Sequence, residues 1–285
     1  KKEGAAWVTY SLILINVFVF YGFELRVDPA IIFNNLIFIP MQPNVVNVPI
    51  SLVTSMFLHA NTMHLWGNML FLWTLGVVVE KRIGWKKFLV FYLLAGVAAD
   101  LLSAFVHFIC FREATHGLGA SGAIAGAMGL FAIRCYFKSM VFPLPILGVF
   151  SLILPISLKV RLNSLVIIGL FFLADLNGGI GQATGQSSSN VGHWAHIGGM
   201  VCGIALGMMF NLGEEAVEER HVEIGSQALS KRGDLFKGEE SLRLALEKSP
   251  DNIEAVLLLA KLLSKFEQTS EGRDLYLKGM ELLGV

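Results

Sequence analysis

Six polar side chains of chemically capable types stand among apolar residues: His59, His64, Asn68, Ser121, His193 and His196. A serine hydroxyl is a weak nucleophile until a neighbouring base takes its proton, and neutral imidazole suits that task near neutral pH. Acyl transfer also needs donors aimed at the oxyanion that develops. The backbone N–H of Ser121 qualifies if the serine opens a helix, because the first N–H groups of a helix lack intrahelical acceptors. The side chains of His64 and Asn68, four residues apart and so on one helix face, are the other donors. Alone, a serine between glycines is ordinary helix packing. A second reading treats His59, His64, His193 and His196 as neutral imidazole ligands of a metal ion, with His-x-x-His on one face. That alternative brings no carboxylate or thiolate into the same layer and leaves Ser121 and its glycines unexplained.

The elements that must position these groups are apolar spans of about 20 residues each. They fall at 5–23, 60–79, 88–110, 119–137, 162–178 and 191–211. Each carrier span has its polar residues near one end: His64 and Asn68 in the second, Ser121 in the fourth, His196 in the sixth. At 1.5 Å per residue, His64, Ser121 and His196 lie about 22, 24 and 21 Å from the opposite boundary of a core roughly 30 Å thick. They therefore share one layer. Gly119 and Gly122 flank the serine and admit a second backbone, and Gly199 and Gly203 form Gly-x-x-x-Gly one turn beyond His196, a spacing that permits close helix contact. Asp100 and Asp175 also fall within spans and read first as paired bundle residues, although an intramembrane acid also raises a functional question.

Composition and charge agree with a membrane domain. The 285 residues are 54% hydrophobic and 15% charged, against roughly a quarter charged in soluble domains. Residues 1–211 hold 12 Lys/Arg and 7 Asp/Glu, and residues 212–285 hold 10 and 15, so a small acidic soluble tail follows the membrane part. The balanced total, 22 basic and 22 acidic, gives no case for nucleic acid, whose phosphates demand a basic excess. With the N-terminus inside, six spans put ten Lys/Arg on the cytoplasmic side and only Arg26 and Arg112 outside, the bias of a multi-pass protein of a bacterial inner membrane with both termini cytoplasmic. The first apolar run reads as a retained span, not a signal peptide. Residues 139–158, uncharged but containing Pro143, Pro145 and Pro155, read as an interfacial or re-entrant connection, because a seventh span would move Lys159 and Arg161 outside. Residues 25–58 read as a structured loop at the outer leaflet, and 178–190 as the most flexible stretch, placed as a lid would be. Cys110, Cys135 and Cys202 form no closed disulfide framework and read as small hydrophobes.

His64-Leu-Trp-Gly-Asn68, the Gly119-Ala-Ser121-Gly122 turn, Ala195-His196-x-x-Gly199-x-x-x-Gly203 and Glu80-Lys-Arg, in this order and on these spans, resemble the rhomboid intramembrane serine proteases over roughly residues 5–211. The resemblance implies an all-α, six-helix membrane bundle with a Ser121/His196 dyad and no catalytic aspartate. It further implies oxyanion stabilisation by His64, Asn68 and the Ser121 N–H, no cofactor or metal, and cleavage of transmembrane protein substrates near the outer face of the lipid bilayer. Two features depart from the family pattern. No Trp-Arg pair occurs in 25–58, and the position one turn after the serine, where some members stack an aromatic residue on the histidine, is Ala125. An inactive relative that binds transmembrane helices without cutting them is a further alternative.

Residues 212–285 form the second domain. At an offset of 34, Val222 meets Val256, Leu229 meets Leu263 and Leu242 meets Tyr276, which resembles a degenerate tetratricopeptide pair that docks on the membrane domain or a protein partner; a plain solvated helical hairpin is the alternative.

Overall fold

The computed structural model describes residues 4–40, 48–111, 116–145, 157–186, 191–230, 234–266 and 269–284. They form two compact units, 1–212 and 213–285. In the first, six apolar helices occupy the expected places: α1 (Trp7–Glu24), α4 (Thr62–Ile83), α5 (Trp85–Cys110), α6 (Ser121–Arg134), α7 (Ser164–Ala183) and α8 (His193–Met209). Two shorter helices, α2 (Pro29–Asn35) and α3 (Val48–Phe57), lie between α1 and α4. Four of the six, α1, α4, α5 and α7, are long and apolar enough to cross a bilayer. α8 has 17 residues and α6 only 14, about 21 Å of helix.

α6 is both the shortest of the six and the centre of the bundle. From Gly122 to Phe131 every side chain is buried, packed among Leu65, Met69, Leu72 and Leu75 of α4, Phe88, Phe91 and Tyr92 of α5, and Met200 of α8. The outward faces of the surrounding helices are just as apolar: Leu14 and Phe18 of α1, Leu94, Leu101 and Phe105 of α5, and Val166, Leu170 and Leu173 of α7 are exposed. An apolar belt around an apolar core is the pattern of an integral membrane protein.

Local sequence sets the helix boundaries. Asn61 caps α4 by accepting the His64 N–H at 2.9 Å, and Asn163 caps α7 by accepting from Leu165 at 2.9 Å, as short polar side chains do at N-caps. Gly84, at φ +83°, turns the chain between α4 and α5. The start of α1 is held from a distance. The Glu80 carboxylate of α4, 2% exposed, accepts the N–H of Val8 at 2.9 Å and both the N–H and hydroxyl of Thr9 at 2.7 Å. This gives Glu80-Lys-Arg its physical content.

The structure refines three sequence expectations. Residues 25–58 are structured through α2, α3 and a bridge from Phe38 to Gly117, although 41–47 lie outside the described residues. The stretch 139–158 contributes a two-stranded antiparallel ribbon, β1 (Ser139–Pro145) with β2 (Ser157–Asn163), Ser139 opposite Asn163 and Pro145 opposite Ser157. No strand was expected here, and 146–156 lie outside the described residues. An open ribbon leaves edge N–H and C=O groups that hydrocarbon does not satisfy, so it suits a connection outside the core. Finally, α7 does not stop at 178 but continues to Ala183. The glycines that suggested a loop there are packing sites: a Cβ on Gly178 would strike His193, and one on Gly179 would stand 3.0 Å from the Trp194 indole. Residues 187–190 of the expected lid lie outside the described residues.

The second unit contains most of α9 (Leu212–Ser230), then α10 (Leu235–Lys248), α11 (Ile253–Leu263) and α12 (Thr269–Leu283), around Val222, Leu242, Ala245, Ala255, Leu259, Leu262 and Leu263. The 34-residue offset maps α9 onto α11 and α10 onto α12. Equivalence weakens at the end: Leu242 is fully buried and Tyr276 exposed. The Arg243 guanidinium spans α10 and α12, donating to Glu239 at 2.9 Å and to Glu271 at 2.8 and 3.2 Å. That fork holds the Glu271 carboxyl below its usual range.

Candidate active site

α6 and α8 touch backbone to backbone. A Cβ on Gly199 would fall on the Gly122 carbonyl oxygen, one on Gly203 on the Gly126 carbonyl, and one on Gly129 on the Met200 carbonyl. Across the other face of α6, Gly122 and Gly126 receive the methyl groups of Ala99 and Ala95 of α5. The seam brings two expected site residues to the same end. Ser121, half-buried, is the first residue of α6 and immediately precedes Gly122, which also faces the Ala195 carbonyl. His196, 9% exposed, lies one turn before Gly199. All four glycines singled out from the sequence, Gly119, Gly122, Gly199 and Gly203, therefore sit at close approaches.

Gly119 makes room for a different pair. It has φ +113°, a conformation open mainly to glycine, and its N–H donates to the Ser55 carbonyl at 2.9 Å. A Cβ there would stand 2.7 Å from His64 Cε1, 2.9 Å from His64 Nε2 and 3.6 Å from Asn68 Nδ2. The two side chains thus converge on the backbone two residues before Ser121. The Ala60 N–H points to His64 Nδ1 at 3.4 Å, which makes Nδ1 the acceptor and Nε2 the ring's donor. Asn68 is 8% exposed and its Nδ2 has no acceptor among the described residues. A buried amide without a partner costs about 1–3 kcal/mol, and its persistence here leaves a donor ready for an oxygen atom from elsewhere.

His196 meets a group not assigned to the site from the sequence. Its Nδ1 lies 3.0 and 3.2 Å from the two carboxylate oxygens of Asp175 on α7, and Asp175 is 5% exposed. The Oδ1 atom of Asp175 also accepts from His193 Nδ1 at 2.8 Å. On its other side the His196 ring leans on Phe171, one turn earlier on α7, with centroids 5.8 Å apart at 39°. Residue 125 is alanine and offers no ring to His196; Phe171 of α7 supplies an aromatic contact. The sequence signal for Asp175 was its occurrence as an acid inside a span. The expectation that no carboxylate enters the histidine layer is therefore corrected: Asp175, already inside the expected span, pairs with both His193 and His196.

His59, 3% exposed, sits edge-on to His64 with centroids 5.1 Å apart, and its N–H is held by Glu24 at 3.0 Å. Burial, then the neighbouring His64, lower its pKa to about 4, so it stays neutral near pH 7. Among the described residues no group of three or more His, Cys, Asp or Glu is arranged to hold a metal ion; the nearest such grouping, His193, Asp175 and His196, is joined by hydrogen bonds instead.

Apolar helices interlocked by glycine, with a serine, imidazoles and a carboxylate gathered at one end, define a polytopic membrane protein with a polar site built into its bundle. The Rhomboid domain model matches residues 47–212, more than half of the 285-residue chain, and the chain belongs to the rhomboid family. It is 27% identical over 228 residues to the Rhomboid protease AarA of Providencia stuartii, covering 73% of this chain and 74% of that protein. It is 31% identical over 144 residues to the mitochondrial Rhomboid protein 1 of Saccharomyces cerevisiae, covering 50% and 40%. To the Rhomboid-like protease 1 of Toxoplasma gondii it is 26% identical over 163 residues, covering 56% and 46%. The aligned region thus spans less than half of the last two relatives.

Proposed function

We propose that this protein is an intramembrane serine endopeptidase that cleaves transmembrane helices of membrane proteins near the outer face of the bilayer. Ser121 is the nucleophile and His196 the base. A locally unwound substrate helix presents a peptide carbonyl to Ser121. His196 Nε2 takes the hydroxyl proton as Oγ bonds to the carbonyl carbon. The carbonyl oxygen becomes the oxyanion and accepts from His64 Nε2–H, Asn68 Nδ2–H and the Ser121 N–H. As the tetrahedral intermediate collapses, the C–N bond breaks and the leaving nitrogen takes the proton from His196. Water then attacks the acyl-serine ester, His196 again holding the proton in transit, and the released acid leaves Ser121 restored.

The observation that carries this reading is the convergence of His64 Nε2 and Asn68 Nδ2 on Gly119, two residues before Ser121, with His196 brought to the same end by the glycine seam. The names of AarA and the Toxoplasma relative, each a protease, point the same way. The charge bias supports six spans with both ends cytoplasmic, and the 34-residue offset supports a tetratricopeptide-like docking role toward a protein partner for the second unit; the membrane proposed for the chain is a bacterial inner membrane.

The test uses the full chain in detergent with a model transmembrane substrate. Wild type is expected to cleave it and to label covalently with a fluorophosphonate. Ser121→Ala and His196→Ala are expected to lose both properties, and a chelator to change nothing. Chelator-sensitive cleavage that survives Ser121→Ala would overturn the proposal in favour of a metal site. Substrate binding without cleavage by wild type would overturn it in favour of an inactive relative.

A further inference from the structure

We infer that Asp175 is a positioning residue for the proposed base, fixing both the tautomer and the orientation of His196, so that the Ser121–His196 pair works with its imidazole held by a third side chain. This rests on the acyl-transfer reading above and goes beyond it by adding a residue from a different helix with a distinct role.

The argument starts from what an imidazole needs in order to act as a base. A neutral ring carries one proton, and only the bare nitrogen accepts another. An ionised carboxylate only accepts, so the Nδ1 that lies 3.0 and 3.2 Å from its two oxygens must be the protonated nitrogen. Nε2 is then the bare one, the nitrogen that a serine proton requires. Without such a partner a ring populates both tautomers and rotates about χ2, and only part of the population is competent. Holding an imidazole through its other nitrogen is a general device for catalytic and metal-bound histidines.

Asp175 is itself held. His193 occupies the Oδ1 atom at 2.8 Å from one turn earlier on α8, and the side chain is 5% exposed, so the carboxylate has little freedom to leave. Gly178, three residues further along α7, admits the His193 ring because it has no Cβ to block it. Phe171, one turn before Asp175, supports the flat face of His196. Three positions of α7 at helical spacing (171, 175 and 178) thus face the start of α8: Phe171 meets His196, Gly178 meets His193, and Asp175 meets both. Asp175 meets His196 at Nδ1, the nitrogen opposite the one that takes the serine proton in the proposed reaction, so it acts through the imidazole.

The experiment compares wild type, Asp175→Asn, Asp175→Ala and Ser121→Ala as full chains in detergent, reading kcat and KM on the transmembrane substrate. It also records the ¹⁵N spectrum of labelled histidines, with the His196 signals assigned by their loss in His196→Gln. Wild type is expected to show His196 protonated at Nδ1. Asp175→Ala should lower kcat about a hundredfold with KM little changed, and shift His196 toward the Nε2-protonated form. Asp175→Asn, which keeps the shape and one acceptor oxygen, should fall between. Wild-type kcat and an unchanged His196 spectrum in Asp175→Ala would overturn the inference. So would losses in both variants that merely follow their folded fraction in thermal unfolding, since that is what a packing role gives. If Ser121→Ala cleaves as well as wild type, the acyl-transfer reading itself fails; if it is dead while Asp175→Ala is fully active, only the present inference does.

Discussion

The Cα of Gly199 rests against the carbonyl oxygen of Gly122, closer than any residue with a Cβ would permit. This contact joins the helix that carries Ser121 to the helix that carries His196, one residue from the serine and one turn from the histidine. Gly199→Ala should therefore push α6 and α8 apart at the site. Overpacking of this kind costs about 1–3 kcal/mol, and a displacement of around 1 Å between reacting groups costs on the order of a hundredfold in rate. The expected outcome is a lower unfolding temperature and a loss of fluorophosphonate labelling beyond what the folded fraction explains. Gly169→Ala on α7, where a Cβ meets nothing within 4 Å, is the control and should leave both unchanged.

Gly119 is expected to be intolerant for a second reason. An alanine there would carry the strain of φ +113°, of order 1–3 kcal/mol, and its methyl group would occupy the space of the His64 ring, 2.7 Å from Cε1. His64 must swing away, and one oxyanion donor goes with it. Gly119→Ala should lower kcat by about 10²–10³-fold while the apolar core of α6, which begins deeper, stays folded. Steady-state kinetics beside a thermal scan make the check, and wild-type kcat in this variant would show that His64 has no part in the chemistry.

How much of this was legible beforehand varies with the physical origin of each feature. The six apolar helices were readable because burial in hydrocarbon demands unbroken apolar runs, and the common level assigned to His64, Ser121 and His196 came from helix rise alone. The roles of Gly122 and Gly199 were readable as a spacing, though not as a contact between those two residues. Asp175 was visible as an acid in a span, but its partner was not. The pairing needs the end of α7, and Gly178, Gly179 and Gly181 imitate a loop until the side chains of His193 and Trp194 are seen packed on the first two. The ribbon of 139–145 with 157–163 escaped notice for a related reason: its prolines argued against a helix without arguing for a strand.

Asn68 offers a test that separates chemistry from packing. Its Nδ2 is buried and has no acceptor among the described residues, so the side chain contributes a desolvated donor without a stabilising bond there. Asn68→Ala should therefore leave the unfolding temperature close to wild type. On the oxyanion reading it should still lower kcat by 10²–10³-fold, with KM little altered. A variant that loses stability and rate together would point to a structural amide instead.

Glu80 presents the opposite case. It lies on the far half of α4 from His64, 2% exposed, and its carboxylate takes three donors from the first turn of α1. A negative group at that place also faces the positive end of the α1 dipole. Glu80→Ala leaves two backbone N–H groups and a hydroxyl facing a void in low dielectric, and a buried charge-assisted set of this size is worth about 3–5 kcal/mol. The variant should unfold well below wild type, with α1 losing protection in hydrogen exchange first. Because α1 supplies none of the proposed catalytic groups, turnover per fluorophosphonate-reactive site should stay near wild type at low temperature. If that per-site rate falls as steeply as stability does, α1 shapes the active site, and the separation drawn here between anchoring Glu80 and reacting Ser121 is wrong.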